Sequence, residues 1–304
     1  MISQQGDASI ERYCCRAGVS RSGYYRSLHE TAPDIEEMEL INRIQEIFLH
    51  NKRRYGYRRV ARQLKYEGRA VNHKRVLRLM RSDNLLAIQP RMFVRTTDSM
   101  HDFDVALNLA RRMTLTGINQ LWVADFTYVR LAKEFVYIAV VLDAFSRKVV
   151  GWSVSRSLAA SMPIEALNMA LAERNPPPGL VHHSDRGFQY ACGDYAGILK
   201  ANQITPSMSR PANPYDNAGC ESFMRTLKRE EINASTYADL DDLRDHVSEF
   251  IDNYYNKYRL HSSLDYMSPA DYERALDKPS ADAATVPYFK PRLSNGTEGQ
   301  EKKG

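Results

Sequence analysis

Residues 135–144 read FVYIAVVLDA, a run in which only Asp143 is charged. A strand with one face in water alternates apolar and polar residues, whereas a strand covered on both faces is apolar throughout. The run therefore predicts an inner strand of a sheet that carries helices on both of its faces.

The segments around this run alternate between strand and helix patterns. Residues 121–131, LWVADFTYVRL, are rich in β-branched and aromatic side chains, as is typical of strands. Hairpin strands followed by strand–helix alternation predict an α/β fold with a mixed five-stranded sheet and flanking helices. The predicted strands are 121–131, 135–144, 149–155, 180–184 and 204–208, and the predicted helices of this part are 162–174, 190–200 and 239–255.

The N-terminal third predicts an all-α region with two successive helix-turn-helix patterns. In the first pattern, at 9–28, Ser9 and Ser20 are candidate helix caps and Gly18 allows a tight turn. A helix with apolar residues at helical spacing follows at 34–51.

The second helix-turn-helix pattern follows the motif YGYRR, where Gly68 ends one helix and Asn72 can cap the next. The residues predicted to face inward are Val60, Leu64, Val76, Leu79 and Met80.

Positive charge is concentrated in this helical region. Residues 51–91 contain 13 Lys or Arg and only two acids, although the whole chain has a net charge of just +5. Such an excess indicates a polyanionic partner, and a helix with a basic outer face suits the major groove of DNA or the phosphates beside it. A solvated basic face, or a helical packing module that tolerates basic residues, is the alternative.

Composition excludes several other classes of protein. No run approaches 18 apolar residues, and the polar N-terminus lacks the apolar segment of a secretory signal, so a cytoplasmic protein without a membrane span is expected. The cysteines form no C-x-x-C pair, which argues against a zinc site or a disulfide framework. They are Cys14, Cys15, Cys192 and Cys220.

Three acids stand where a sheet can bring them together. Asp125 lies within the first predicted strand, Asp185 follows the fourth, and Glu221 opens a helix. Converging carboxylates repel one another unless cations lie between them, and Mg²⁺ prefers such oxygen ligands. Taken singly, each acid has an ordinary structural interpretation as a strand-end residue, a turn former or an exposed helix acid.

Two nearby features compete with this interpretation. Asp143 ends the long buried strand and is the strongest rival for the first carboxylate. His182 and His183 precede Asp185 and could hold zinc, but no further cysteine or histidine stands at ligand spacing.

The flanking sequences identify a family. The motifs WVADFTY, HSDRGFQY and NPYDNAGCESF contain Asp125, Asp185 and Glu221, and 35 residues separate the last two. Together with YGYRR and YNKYRLHSSL…SPA, they resemble the DDE transposases encoded by the second reading frame of bacterial insertion sequences, in the retroviral-integrase superfamily. Ala212 stands where the family usually has glycine, a departure that leaves the three acids untouched.

The resemblance implies an RNase H-like catalytic core in which the three acids hold two Mg²⁺ ions, with Mn²⁺ as a substitute, and catalyse DNA strand cleavage and strand transfer. Lys228, seven residues after Glu221, and Arg225 on the same helix would contact the DNA end. A surface salt bridge is the alternative for Lys228. The other expected DNA-binding residues are Arg58, Arg59, His73, Lys74, Arg75 and Arg78.

The resemblance also implies partners: the terminal inverted repeats of the element, target DNA, a second copy of the chain, and the DNA-binding protein of the upstream reading frame. The expected location is the bacterial cytoplasm, at the nucleoid. The expected organisation is a helix-turn-helix segment at 1–32, a helical DNA-binding domain at 33–95, a linker at 96–117, the integrase-type catalytic core at 118–277 and a flexible tail at 278–304.

Two other functions stay open at this point. A metal-dependent nuclease of the same fold would cut DNA without joining it, and a domesticated DNA-binding protein would do neither. The presence of all three acids argues against the second. A retroviral-type integrase is disfavoured, because the paired His and Cys of its zinc domain are absent.

Overall fold

A five-stranded sheet organises the C-terminal two thirds of the protein. The computed structural model describes residues 7–28, 35–85, 87, 108–110, 113–132, 134–185, 187–209 and 217–277. The predicted tail at 278–304 and most of the predicted linker at 96–117 lie outside these residues.

The strands follow the predicted pattern closely. Their order in the sheet is β3-β2-β1-β4-β5, in which the pairs β3–β2 and β2–β1 are antiparallel and the pairs β1–β4 and β4–β5 are parallel. This confirms the mixed five-stranded sheet of an RNase H-like fold. The strands are β1 (Leu121–Arg130), β2 (Phe135–Asp143), β3 (Val149–Ser155), β4 (Val181–Ser184) and β5 (Thr205–Met208).

The apolar run of β2 is explained by the two cores that it enters. Ile138 and Val140 belong to one hydrophobic cluster, whereas Ala139 and Val141 belong to the other. Successive residues of a strand point to opposite faces, so both faces of β2 are covered. The prediction of helices on both sides of the sheet is therefore confirmed.

The helices divide between the two faces. The helices α6 (Ser161–Arg174) and α8 (Gly193–Ala201) contribute to the cluster of Trp122 and Val141. On the opposite face lie α9 (Ala218–Leu227) and α10 (Leu240–Ser248). The remaining elements are α7 (Phe188–Ala191), two π-helical segments at Lys228–Ile232 and Glu249–Tyr255, a 3-10 turn (Ser262–Leu264) and α11 (Pro269–Leu276).

Two predicted helices of this part differ in detail from the structure. The helix expected at 190–200 is divided into α7 and α8, because Cys192 between them has extended backbone, with φ −68° and ψ 150°. The helix expected at 239–255 begins as predicted, with the Asp239 side chain accepting from the backbone N–H of Asp241, but becomes π-helical after Ser248.

Asn256 covers the edge of the sheet where this second π segment ends. Its side-chain amide donates to the carbonyl of Val149 at 2.9 Å and accepts from the N–H of Val149 at 3.0 Å. An exposed strand edge is a template for unwanted pairing. The C-terminal helices thus satisfy part of the backbone of β3.

The N-terminal region is helical, with α1 (Asp7–Ala17) and α2 (Arg21–Leu28). Gly18 has a φ of +66°, and Ser20 Oγ accepts from the N–H of Gly23 at 3.0 Å, as the sequence predicts for the turn. The predicted cap at Ser9 is wrong: the helix already begins at Asp7, so Ser9 lies inside its first turn.

Three more helices form a second unit, called the helical unit below: α3 (Ile35–His50), α4 (Tyr57–Tyr66) and α5 (His73–Ser82). Asn72 caps α5 as predicted, accepting from the N–H of Lys74 at 2.8 Å. The predicted inward residues are buried and belong to the same hydrophobic cluster as α9 and the sheet. Within the described residues no helix is long and apolar enough to cross a membrane.

Gly151 allows α6 to approach β3 closely, and its replacement provides a test of this packing. A Cβ on Gly151 would lie 2.1 Å from the Ala166 carbonyl oxygen. A Cβ on Gly219 in α9 would lie 2.8 Å from Nη1 of Arg147, the flexible end of a long side chain. We expect Gly151→Ala to lower the unfolding free energy by about 3 kcal/mol, in the range of overpacked cores.

The matched variant is Gly219→Ala, which we expect to change the unfolding free energy by less than about 1 kcal/mol, because helix propensity offsets the crowding. Urea unfolding followed by circular dichroism measures both. Equal destabilisation by the two variants would contradict this account of the β3–α6 packing.

Candidate functional site

The register of β1 and β4 places two acids side by side. Trp122 pairs with His182 and Val123 with His183 in a parallel ladder. Asp125 lies two residues after Val123, within β1, and Asp185 lies two residues after His183, directly after β4. Since neighbouring strands lie about 4.8 Å apart, these two carboxylates occupy adjacent positions at one edge of the sheet.

The backbone after β4 fixes the position of Asp185. Its Oδ1 accepts from the N–H of Gly187 at 2.9 Å. A Cβ on Gly187 would lie 3.0 Å from that same Oδ1 and 2.9 Å from Oε1 of Gln189. A side chain at 187 would therefore have to displace one of these two side-chain oxygens.

Glu221 reaches this edge on α9. Asp125 shares with Val123 the face of β1 that α9 covers, because alternate residues of a strand share a face. Asn217 holds the start of α9 there, with its side-chain amide donating to the carbonyl of Ala124 at 3.0 Å. Asn217 stands at the N-cap position of α9, but its side chain makes no capping bond.

The three acids influence one another electrostatically. Burial raises the pKa of Asp125 to about 8, with further contributions from the carboxylates of Asp185 and Glu221, while Lys228 lowers it. The same three acids, after burial itself, raise the pKa of the Cys220 thiol. At neutral pH this edge therefore holds a proton on Asp125 unless a cation replaces it.

The chemistry of the site fits a divalent cation, although no ready-made ligand cage is formed. Among the described residues, no three His, Cys, Asp or Glu side chains stand close enough to hold an ion. Three mutually repelling carboxylates nevertheless supply the oxygen ligands that Mg²⁺ prefers. Two buried polar atoms near them, Tyr190 Oη and Asn217 Oδ1, have no hydrogen-bond partner in the described structure. A hydrated cation bound there would supply a hydrogen-bond partner to each of these two atoms.

Tyr190 is a site residue that sequence reasoning missed. Burial and the neighbouring charges, those of Asp185 and Asp125 among them, raise its pKa well above the ordinary value. Its ring lies 6.2 Å from that of Phe126. The only available signal was its place in the motif HSDRGFQY, which does not reveal where the hydroxyl points.

Asp143, the rival for the first carboxylate, has a structural role. It is fully buried, and its carboxylate accepts from three backbone N–H groups. These belong to Asn119 at 2.7 Å, Phe145 at 2.9 Å and Ser146 at 3.0 Å. A carboxylate used in this way shapes the β2–β3 turn and is unavailable to a ligand, so Asp125 remains the candidate.

The two histidines before Asp185 also have structural partners. Nδ1 and Nε2 of His183 lie 2.8 Å and 3.0 Å from the hydroxyls of Ser207 and Ser209. Nε2 of His182 lies 2.9 Å from the Tyr195 hydroxyl, and burial lowers the pKa of His182 to about 3. Both rings are therefore engaged by hydrogen-bond partners within the fold.

The predicted basic residues fall into two groups. Lys228 lies near the acids: its ammonium is 4.8 Å from the centre of the Tyr128 ring, and burial lowers its pKa while Asp125 opposes this. Arg225 is exposed on α9. The remaining candidates lie on the helical unit, and all of them except Arg59 are exposed. The exposed ones are Arg58, His73, Lys74, Arg75 and Arg78.

Arg59 is engaged within the protein. Its Nε donates to the carbonyl of Leu260 at 3.0 Å, and its Nη1 lies 3.4 Å from Oε1 of Glu230. Arg75 and Arg78 differ, since both remain exposed although they share Glu37 as an ion-pair partner.

Known families match most of the helical unit and of the sheet region. An integrase core domain matches residues 116–214, a second integrase core description matches residues 202–269, and an HTH-like domain matches residues 36–93. Among solved structures, the chain aligns with the simian T-cell lymphotropic virus intasome bound to PP2A regulatory subunit B56 gamma, at a TM-score of 0.45 and 17% identity over 73% of this chain and 72% of that chain.

Two relatives are much more similar in sequence. An uncharacterized 31 kDa protein of insertion element IS600 from Shigella sonnei is 36% identical over 271 residues, which cover 88% of this chain and 100% of that protein. Transposase InsF of insertion sequence IS3A from Escherichia coli K12 is 34% identical over 274 residues, covering 88% and 95%. The protein therefore belongs to the insertion-sequence transposases, a group of polynucleotidyl transferases with an integrase core.

Proposed function

We propose that this protein binds the terminal inverted repeats of its insertion sequence and catalyses DNA strand cleavage and strand transfer with Asp125, Asp185 and Glu221. The observation that carries the proposal is the parallel β1–β4 register, which pairs Val123 with His183, two residues before Asp125 in β1 and two residues before Asp185, directly after β4. The hydrogen bond from the Asn217 side chain to the Ala124 carbonyl holds the start of α9, the helix that carries Glu221, at the same edge.

The three carboxylates would hold two Mg²⁺ ions, or Mn²⁺ in their place. When bound, the ions supply charge stabilisation at the phosphate and lower the pKa of the attacking water or 3′-hydroxyl. The protein contributes the position of each carboxylate and a partly buried edge, where charges interact more strongly than in water.

Basic side chains would bring the DNA to this edge. Lys228 follows the acids on the continuation of α9 and can contact a phosphate near the scissile bond, with Arg225 further out. The exposed residues Arg58, His73, Lys74, Arg75 and Arg78 would bind the element end, either at base edges or at phosphates.

The reaction also defines the assembly. Two element ends must be joined to one target, so the working form contains at least two copies of the chain. The DNA-binding protein of the upstream reading frame is a proposed partner, and the cytoplasmic nucleoid is the proposed location.

Removing one catalytic carboxylate should abolish the chemistry and leave DNA binding. We expect Asp125→Asn, Asp185→Asn and Glu221→Gln each to lower strand joining by at least about 10³-fold, because each removes a charge that stabilises the transition state. The measurement is joining of a labelled inverted-repeat oligonucleotide in Mg²⁺ or Mn²⁺, with affinity determined in parallel by fluorescence anisotropy.

Asp194→Asn is the matched control, since Asp194 is an exposed acid on α8 outside the site. It should join DNA at the wild-type rate. Joining by any of the three site variants at the control rate would refute the assignment. Metal-dependent cleavage without joining would instead favour a nuclease.

Cation binding should be detectable without DNA. Because the folded pKa of Asp125 is about 8, against an ordinary value of 3.8, the metal-free folded protein holds a proton that the unfolded chain lacks in this interval. Its stability should therefore fall as pH rises from about 4 to 8. A cation must displace this proton, so Mg²⁺ should raise the melting temperature more at pH 8 than at pH 6.

Differential scanning fluorimetry with EDTA or Mg²⁺ at the two pH values measures this effect. Asp125→Asn should melt at a higher temperature than wild type in EDTA at pH 8, and it should lose the response to Mg²⁺. An unchanged Mg²⁺ response in Asp125→Asn would argue against Asp125 as a ligand.

A further inference from the structure

The helix that carries Glu221 ends in buried acids. After α9 the chain continues as the π-helical segment Lys228–Ile232, in which the side chains of Glu230 and Glu231 are 1% and 4% exposed. A buried carboxylate without a partner is strongly unfavourable. The groups that neutralise these acids therefore also determine where this end of the helix lies.

Part of that neutralisation comes from the helical unit. Arg54, just before α4, donates from Nε to the carbonyl of Glu230 at 2.9 Å and from Nη2 to Oε2 of Glu231 at 2.5 Å. Its guanidinium lies 4.4 Å from the centre of the Tyr254 ring, on the second π-helical segment. Arg59 adds the ion pair with Glu230.

Tyr55 makes the third connection. It is 2% exposed, and its hydroxyl donates to the carbonyl of Tyr258 at 3.0 Å while accepting from the N–H of Leu260 at 3.3 Å. Hydrogen bonds are directional, and this buried hydroxyl both donates and accepts one. The segment at Tyr55 can therefore meet the segment at 258–260 in only one arrangement.

We propose that Arg54, Tyr55 and Arg59, here called the clamp, are positioning residues for Glu221 and Lys228. Glu230 lies nine residues after Glu221 on a continuous helix, or about 13 Å along its axis. Asn217 fixes the start of this helix on β1, and the clamp fixes its end. The inference rests on the proposed function, because it assigns the clamp to the reaction of those residues.

The arrangement around Glu230 makes the clamp testable without unfolding the core. Arg259 binds Glu230 from within the core, with Nε and Nη2 at 3.0 Å and 2.9 Å from its two oxygens. The hydroxyl of Tyr254 adds a bond of 3.1 Å. Loss of Arg59 therefore leaves Glu230 paired, and only the connection between the helical unit and the helix is weakened.

The experiment compares full-length wild type with Arg59→Ala, Arg59→Lys and Tyr55→Phe. Affinity for the inverted-repeat oligonucleotide is separated from the joining rate at saturating DNA in Mg²⁺ or Mn²⁺. We expect Arg59→Ala and Tyr55→Phe to bind DNA as wild type does and to join it roughly ten- to a hundredfold more slowly, the effect of a displacement of about 1 Å. Arg59→Lys should recover part of the rate.

Arg58→Ala provides the contrast, because Arg58 is exposed on the same helix and its Nε bonds only to Tyr57 among the contacts described. Arg58→Ala should weaken DNA binding and leave the joining rate at saturating DNA unchanged, the opposite of what the clamp variants should do. Melting curves confirm that each variant is folded at the assay temperature.

Two results would overturn the clamp: wild-type joining rates at saturating DNA for both Arg59→Ala and Tyr55→Phe, or an Arg59→Ala defect confined to DNA affinity. Failure of the proposed function has a different signature. Asp125→Asn would then join DNA as wild type does, whatever the clamp variants do.

Discussion

The parallel pairing of β1 with β4 is the interaction on which the site depends. It brings Asp125 and Asp185 to neighbouring positions, where burial and mutual repulsion keep a proton on Asp125. The metal-free fold therefore tolerates an unfavourable arrangement at one edge of the sheet. A cation that binds only the folded state would relieve this repulsion and stabilise the protein by mass action, so the proposed function and the stability would be linked at the same carboxylates.

The rest of the fold supports that edge from both faces. One cluster, with α6 and α8, packs behind Trp122 and Val141, while the other extends from β1 through α9 to the helical unit. Asp125 lies on the face of β1 that belongs to the second cluster. Because α9 packs on that same face, it can bring Glu221 toward Asp125. Removal of the covering helices would expose the same apolar surface that positions Glu221.

The sequence predicted the sheet well because strand burial leaves a pattern in neighbouring residues. The run at 135–144 and the acids at strand ends are local signals of this kind. Apart from the local error at Ser9, the features that were missed around the site depend on contacts between distant residues. Asn217 occupies the cap position yet bonds to Ala124, and the buried hydroxyl of Tyr190 interacts electrostatically with Asp185 and Asp125. Neither interaction has a local signature. The break at Cys192, where the backbone is extended, was missed as well.

The arginines of the helical unit show how a charge count can mislead. Thirteen Lys or Arg at 51–91 indicate a polyanionic partner, but Arg54 and Arg59 point into the protein and meet Glu230 and Glu231. Burial would raise the pKa of Glu230, yet Arg259, Arg59 and Arg229 lower it to about 2, so the carboxylate stays charged. Buried ion pairs add little net stability, but mispairing them is costly. Such a network therefore selects one docking geometry between the helical unit and the core, and the DNA contacts that we propose fall to the exposed arginines instead.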